Sequence, residues 1–250
     1  MRWIDSNCMI GKQSAPHPFS VRTTEEIKSE LVRCGIDGAL VYHAYAKEYH
    51  PLDGNDKLME EIEQDDFFKP VWVIIPGHTG EFPTPTSLFD EIIRHRVVGV
   101  RCFPGAQNHQ FSMQEWSMGE IYNYLEQRKL PLFLDLDQTN WEEIHRICQA
   151  HPLLRLVVTG VGYRNARYFF PLLEYHPYLY LELSMYKNFN GLERLVSRFG
   201  SSRFLFGTGM PVYSPGPCKN MILTAELSQS DISNMAYKNI EKLMEEVIYE

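Results

Sequence analysis

Three carboxylates, two histidines and an arginine stand near the ends of short apolar runs, and their types suit proton transfer around an anionic ligand. Asp135 and Asp137 lie two residues apart at the close of Leu130-Pro131-Leu132-Phe133-Leu134-Asp135, so on an extended chain they share a face. Glu182 lies near the end of a second run, 178–184. Carboxylates crowded into one pocket repel, and the pKa of one then rises toward neutrality, which suits proton transfer. Arg101, in Gly99-Val100-Arg101-Cys102-Phe103-Pro104, can hold a carboxylate in a bidentate fork. The competing reading is a buried ion pair with one of the acids. His43 and His78 follow the runs 38–43 and 70–75, and an imidazole there can activate water near neutral pH. Tyr163, Tyr186, Phe189 and Tyr213 take loop positions suited to pocket walls, and Arg164 could be a second anion clamp. His17, His50 and His109 are weaker loop candidates, whereas His145, His151 and His176 belong to helices or helix ends.

The elements that must position these groups alternate regularly. Apolar strand-length runs occur at 2–7, 38–43, 70–75, 97–103, 131–136, 154–159, 178–184 and 203–208. Most are flanked by Gly, Pro, Asn or Asp, and their unbroken apolar character suits parallel strands covered on both faces. Between them the 3.6-residue period predicts helices over 23–34, 84–94, 112–128, 139–150, 165–175, 190–199 and 230–248, with shorter ones at 55–63 and 218–227. Thr23 with Glu26 reads as a capping box, and Thr139 with Glu142 as a second. Eight strand–helix units in 250 residues predict a single-domain (β/α)8 TIM barrel spanning 1–250. A doubly wound open sheet fits less well, since no Gly-rich phosphate loop follows the first strand. The run Met210-Pro211-Val212-Tyr213-Ser214-Pro215-Gly216-Pro217 then becomes a loop at the barrel mouth.

Several segments together resemble the amidohydrolase-related family of metal-dependent-hydrolase-like barrels. Trp3-Ile4-Asp5-Ser6-Asn7-Cys8-Met9-Ile10-Gly11 is similar to the family's opening Asp-x-His-x-His-x-Gly, with Asn7 and Met9 at the histidine positions. Arg203-Phe204-Leu205-Phe206-Gly207-Thr208-Gly209-Met210-Pro211 is similar to Arg-[apolar]3-Gly-Ser/Thr-Asp-x-Pro, with Gly209 at the aspartate. By the same resemblance Asp135 and Gly160 stand at the ligand positions after strands 5 and 6. Of these five residues only Asp135 is a good ligand for a hard or borderline cation, and a catalytic zinc site needs three protein ligands. The resemblance therefore implies the fold without the usual metal, and no cofactor is expected. It also sets the inward parity: Asp5, Asn7 and Met9 face the pocket, as do Phe133, Asp135 and Asp137, and Tyr180, Glu182, Ser184 and Tyr186. Cys8 then points away and reads as a small apolar packer. A thiol nucleophile at Cys8 or Cys102 would need an adjacent base.

A formal charge of -8 argues against nucleic acid or an anionic membrane as partner. Five cysteines with no Cys-x-x-Cys pair fit reduced thiols in the cytoplasm. Because an apolar strand is expected at the first residues, no signal peptide is expected, and no apolar run reaches bilayer length. Two functions follow. The first is a metal-independent enzyme acting on a small polar or carboxylated substrate, with Asp135, His43 and Glu182 as acid–base candidates. For it the resemblance suggests hydrolysis of a lactone or ester, or decarboxylation, with lactones favoured. Arg101, Asn7, Asp137, His78, Tyr163, Arg164 and Tyr186 would line its site. The second is a catalytically inactive barrel kept as a ligand-binding or subunit-interaction module. For either, a homo-oligomer would by default be a dimer.

Overall fold

Apolar segments buried on both faces can satisfy their backbone only by pairing side by side, and here they do so in chain order. The computed structural model describes residues 1–15, 21 and 23–250, so His17 lies outside the described residues. Eight parallel strands run β1 (Ile4–Ile10), β2 (Gly38–His43), β3 (Phe68–Val73), β4 (Gly99–Cys102), β5 (Leu132–Asp135), β6 (Leu156–Thr159), β7 (Leu179–Glu182) and β8 (Phe204–Leu205). The ring is completed between its last and first strands by Ser6 N to Phe206 O at 3.0 Å, Met9 N to Met210 O at 2.8 Å and Gly209 N to Asn7 O at 2.9 Å. The fold is a TIM barrel, as the alternating pattern predicts.

Alternation along each strand divides the core into two layers. Phe133, Val157, Val71 and Val73 point into the barrel with Leu40, Phe103 and Leu205. Their neighbours Leu132, Leu134, Leu156, Val158, Trp72 and Val100 pack outward against the helices. Ile240 and Leu243 from the C-terminal helix join the inner layer. The helices are α1 (Thr24–Arg33), α2 (Ala44–Glu48), α3 (Pro51–Ile62), α4 (Pro85–Arg94), α5 (Glu115–Arg128) and α6 (Trp141–Ala150). They continue as α7 (Ala166–Tyr175), α8 (Gly191–Phe199), α9 (Pro215–Leu223), α10 (Gln229–Ser233) and α11 (Asn239–Glu245). Among the described residues no helix is long and apolar enough to cross a membrane.

Helix ends show where local chemistry competes. The Thr23–Glu26 capping box forms in both directions. The second box does not: Asn140 caps α6 by accepting from Glu143 N at 2.9 Å, and the Thr139 hydroxyl is buried without a partner among the described residues. An asparagine beside a threonine is the better cap of the two. The helix expected over 230–248 is broken by a π turn at Asn234–Lys238. The wider turn releases the Met235 carbonyl, which accepts from Phe206 N at 2.9 Å. Strand β8 is consequently shorter than its apolar run, because Phe206 bonds to this turn and to β1.

Candidate active site at the barrel mouth

The carboxyl ends of parallel barrel strands bring side chains from distant parts of the chain to one place. Here a buried polar network occupies that place, with Arg101 of β4 at its centre. Its guanidinium, 2% exposed, donates from Nη1 to Asn7 Oδ1 at 2.9 Å and from Nη2 to Asp135 Oδ1 at 2.6 Å and Thr159 Oγ1 at 3.0 Å. Thr159 passes its own hydroxyl proton toward the same Asp135 oxygen. The Tyr42 ring lies under the cation, 4.4 Å from centroid to guanidinium carbon. A desolvated cation over an aromatic face gains electrostatically. Desolvation works against the Arg101 charge, but Asp135 and the other nearby anions outweigh it and raise its pKa.

Asn7 links this cation to a second acid. With Oδ1 accepting from Arg101, its amide nitrogen donates to Glu182 Oε2 at 3.0 Å. Glu182 is fully buried at the end of β7 and also accepts from Ser184 N and, at 2.8 Å, Ser184 Oγ. Deeper, Asp5 accepts from the backbone of Asn7 and Thr208, each at 2.9 Å, and from the Thr208 hydroxyl. Burial pushes Glu182 up to about 7, with the charge of Asp5 adding to it and the bonds from Ser184 and Asn7 opposing it. Burial likewise raises Asp5 to about 6 against its Thr208 and Asn7 bonds. Asp135 goes the other way. Burial opposes its charge, yet Arg101, Thr159 and Lys47 together hold its carboxyl below the ordinary range. Three acids within one network are thus divided by their surroundings into an ionised one and two poised near neutrality.

Above the network opens a cavity of about 340 Å3, walled by residues that include Asn7, Met9, Tyr42, Lys47, Asp135, Asp137, Thr159, Ser184 and Tyr213. That volume suits a small ligand. Asp135 reaches it with a side chain 17% exposed; its Oδ1 takes both donors, and Oδ2 has no hydrogen-bond partner among the described residues. Lys47, over the Phe103 ring at 4.9 Å, is the ammonium on the wall.

The candidates named from the sequence divide accordingly. Asn7, Asp135 and Asp137 meet at the cavity, while Arg101 and Glu182 lie in the network beneath it. His43 does not face the cavity. Its Nδ1 accepts from Tyr45 N, capping α2, and its Nε2 lies 3.3 Å from Glu61 in a neighbouring depression. His78 turns to the Ser117 carbonyl at 3.1 Å, on α5. Tyr163 and Arg164 stand exposed beyond β6, with the guanidinium over the Tyr163 ring. Tyr186 is buried edge-on against Phe169, behind the strands. His50 caps α3, and His109 sits edge-on to Phe103. His145 and His176 pair with each other on the outside, and His151 pairs with Glu115. Cys8 and Cys102 are buried packers whose thiols burial raises. Reading strand-end residues one at a time missed Thr159, Tyr42 and Lys47, and placed Ser184 on the pocket face without a role. A hydroxyl or lysine near a strand end carries no spacing signal, and only its partners reveal it.

Residues 55–244 match the family profile described as Amidohydrolase. The chain belongs to the amidohydrolase family. Among curated proteins none matches it significantly in sequence. Similar solved structures include an uncharacterised TIM-barrel protein from Bordetella bronchiseptica, 18% identical with 98% of this chain and 99% of that one covered, TM-score 0.76. The 2,6-dihydroxybenzoate decarboxylase from Rhizobium is 14% identical, with 98% of each chain covered and a TM-score of 0.74. A dihydroxybenzoic acid decarboxylase from Polaromonas sp. JS666, with bound manganese, is 12% identical over 98% of this chain and 97% of that one, TM-score 0.71.

The donor set of this amidohydrolase-family barrel does not suit such a metal. Among the described residues no three His, Cys, Asp or Glu side chains are grouped to hold an ion. Of the five positions that the resemblance marks, Gly160 and Gly209 offer no side chain and Met9 only a thioether. The remaining two, Asn7 and Asp135, are bridged by the Arg101 guanidinium. A divalent cation between them would face that fixed positive charge at close range.

Proposed function

We propose that residues 1–250 form one barrel domain that hydrolyses a small carboxylated ester or lactone without a metal ion, using Asp135 as the base. The observation that carries this reading is the state of Asp135: a residue that lines the cavity, held through Oδ1, ionised at neutral pH, and with Oδ2 unpartnered among the described residues. A water on Oδ2 would give its proton to the carboxylate as its oxygen attacks the carbonyl carbon. The acyl C–O bond then breaks, and the proton on Asp135 passes to the departing alkoxide oxygen. Lys47 supplies positive charge for the substrate carboxylate or the developing oxyanion. Esters and lactones suit this arrangement because their carbonyls are more electrophilic than those of amides. The carboxylated class agrees with the names of the decarboxylases that share the fold.

A second reading, an inactive binding barrel, has one observation in its favour. Arg101 directs both its terminal nitrogens to Asn7, Asp135 and Thr159, which engages the cation within the protein and leaves only Nε without a partner among the described residues. A panel of small lactones and esters decides between them. Turnover that survives exhaustive chelation and falls by ~10²-fold or more in Asp135→Asn supports the proposed hydrolase. Turnover that requires added zinc or manganese, or that ignores Asp135→Asn, refutes it. Ligand-induced thermal stabilisation with no turnover anywhere in the panel favours the binding barrel.

A further inference from the structure

The buried network reaches the cavity at a second place besides Asp135. Ser184, though only 3% exposed, is among the residues lining the cavity, and its hydroxyl donates to Glu182 Oε2 at 2.8 Å. Glu182 cannot turn away. Its other oxygen takes Ser184 N, and Oε2 also takes Asn7 Nδ2 at 3.0 Å. Asn7 is in turn oriented by Arg101, which donates to its carbonyl oxygen and so obliges the amide nitrogen to face Glu182. Two glycines shape the surroundings. A Cβ at Gly207 would come within 2.4 Å of Glu182 Oε1, so only glycine lets the carboxylate lie where it does. A Cβ at Gly209 would stand 3.9 Å from Ser184 Oγ, and a longer side chain there would cover the hydroxyl. A hydroxyl on a cavity, a carboxylate within hydrogen-bond reach and a third group orienting that carboxylate make the arrangement that activates a nucleophile.

We propose that Ser184 is a covalent nucleophile, with Glu182 as its base and Asn7 as the positioning residue for Glu182. The proposal deepens the hydrolase reading above, rests on it for the substrate class, and moves the attack of the Asp135-activated water from the substrate carbonyl to the acyl carbon on Ser184. In the first half, Ser184 Oγ attacks the ester or lactone carbonyl and its proton moves to Glu182. The acyl C–O bond breaks and Glu182 returns the proton to the departing alkoxide, leaving an acyl ester on Ser184. In the second half, water loses a proton to Asp135 and its oxygen attacks the acyl carbon. Ser184 Oγ departs and takes up that proton, releasing the acid.

Diisopropyl fluorophosphate tests the nucleophile independently of any substrate: attack by Oγ forms the P–O bond, fluoride leaves and Glu182 takes the proton. The expected result is a single adduct, mapped to Ser184 by peptide mass spectrometry, absent in Ser184→Ala and formed ~10²-fold more slowly in Glu182→Gln. The same preparations are assayed with p-nitrophenyl acetate and the lactone panel, where Ser184→Ala should lose ~10²-fold or more of the turnover. Labelling of the wild-type chain needs no variant to fold, and thermal midpoints report the fold of both variants. Turnover with no Ser184 adduct overturns the covalent step and leaves the hydrolase standing. A Ser184 adduct with no turnover in the panel keeps the nucleophile and overturns the substrate class. Neither adduct nor turnover overturns both.

Discussion

Glu182→Gln separates a titrating buried acid from an inert one, and its effect on stability can be worked out from the structure. Glu182 is fully buried and its pKa rises from the ordinary glutamate value of 4.5 to about 7, chiefly through desolvation. The folded chain therefore holds this proton more tightly than the unfolded chain does. The resulting stabilisation is complete below the unfolded pKa and is lost as pH rises through the folded one. At 1.36 kcal/mol per pKa unit, the loss is about 3 kcal/mol between pH 4 and 9. Asp5, raised from 3.8 to about 6, contributes in the same direction over a lower range. The depressed Asp135 has the opposite sign, but its effect is confined to acid pH. Glutamine keeps the shape and one acceptor but leaves a donor of Asn7 or Ser184 without its carboxylate oxygen, a cost of about 1–3 kcal/mol that does not vary with pH. The variant should thus be less stable than the wild type at pH 5 and should gain on it by about 3 kcal/mol by pH 9. For a chain of this size that gain shifts the difference in thermal midpoint by roughly 6–12 °C. Urea denaturation and thermal melts of both proteins across pH 5–9 would measure it. Parallel curves would refute the reasoning, because they would mean that Glu182 does not titrate between the two states in this window.

Arg101→Met should remove the counter-charge of Asp135 and the donor to Asn7, at a cost of roughly 3–5 kcal/mol. Adding Asp135→Leu should restore part of this in denaturant titrations, and a single variant as stable as wild type would show that the ion pair contributes nothing. Gly207→Ala must displace Glu182 or the backbone, since its Cβ would lie 2.4 Å from Oε1. A loss of about 1–3 kcal/mol is expected, and an unchanged melting curve would show that the carboxylate is not packed there.

How far the sequence reaches can be followed residue by residue. Strand and helix positions depend on local periodicity, so the barrel, its strand order and the Thr23 cap were legible before any contact was known. Asp135, Glu182 and Arg101 could be singled out because a charged residue at the end of an apolar run is locally conspicuous. An ion pair between Arg101 and one of the acids was legible as a reading, but not which acid, nor the other partners. Arg101 lies 94 residues from Asn7, 34 from Asp135 and 58 from Thr159, and Asn7 lies 175 from Glu182. A hydrogen bond across such separations leaves no periodicity to detect.

Where local choices were nearly balanced, the wrong one was foreseen. Thr139 and Asn140 are adjacent candidates for one cap, and the asparagine won. His43 ends a strand as a catalytic base would, but α2 begins at the next residue and the imidazole caps it. The sequence alone determined the barrel, its eight-fold alternation and the acids at its mouth, because backbone pairing and burial are set by neighbours in the chain. Only the tertiary structure decided that Asp135 is ionised while Glu182 holds its proton near neutrality. Ionisation depends on which charges and dipoles lie within a few ångströms, and most of those come from other strands, far away along the chain.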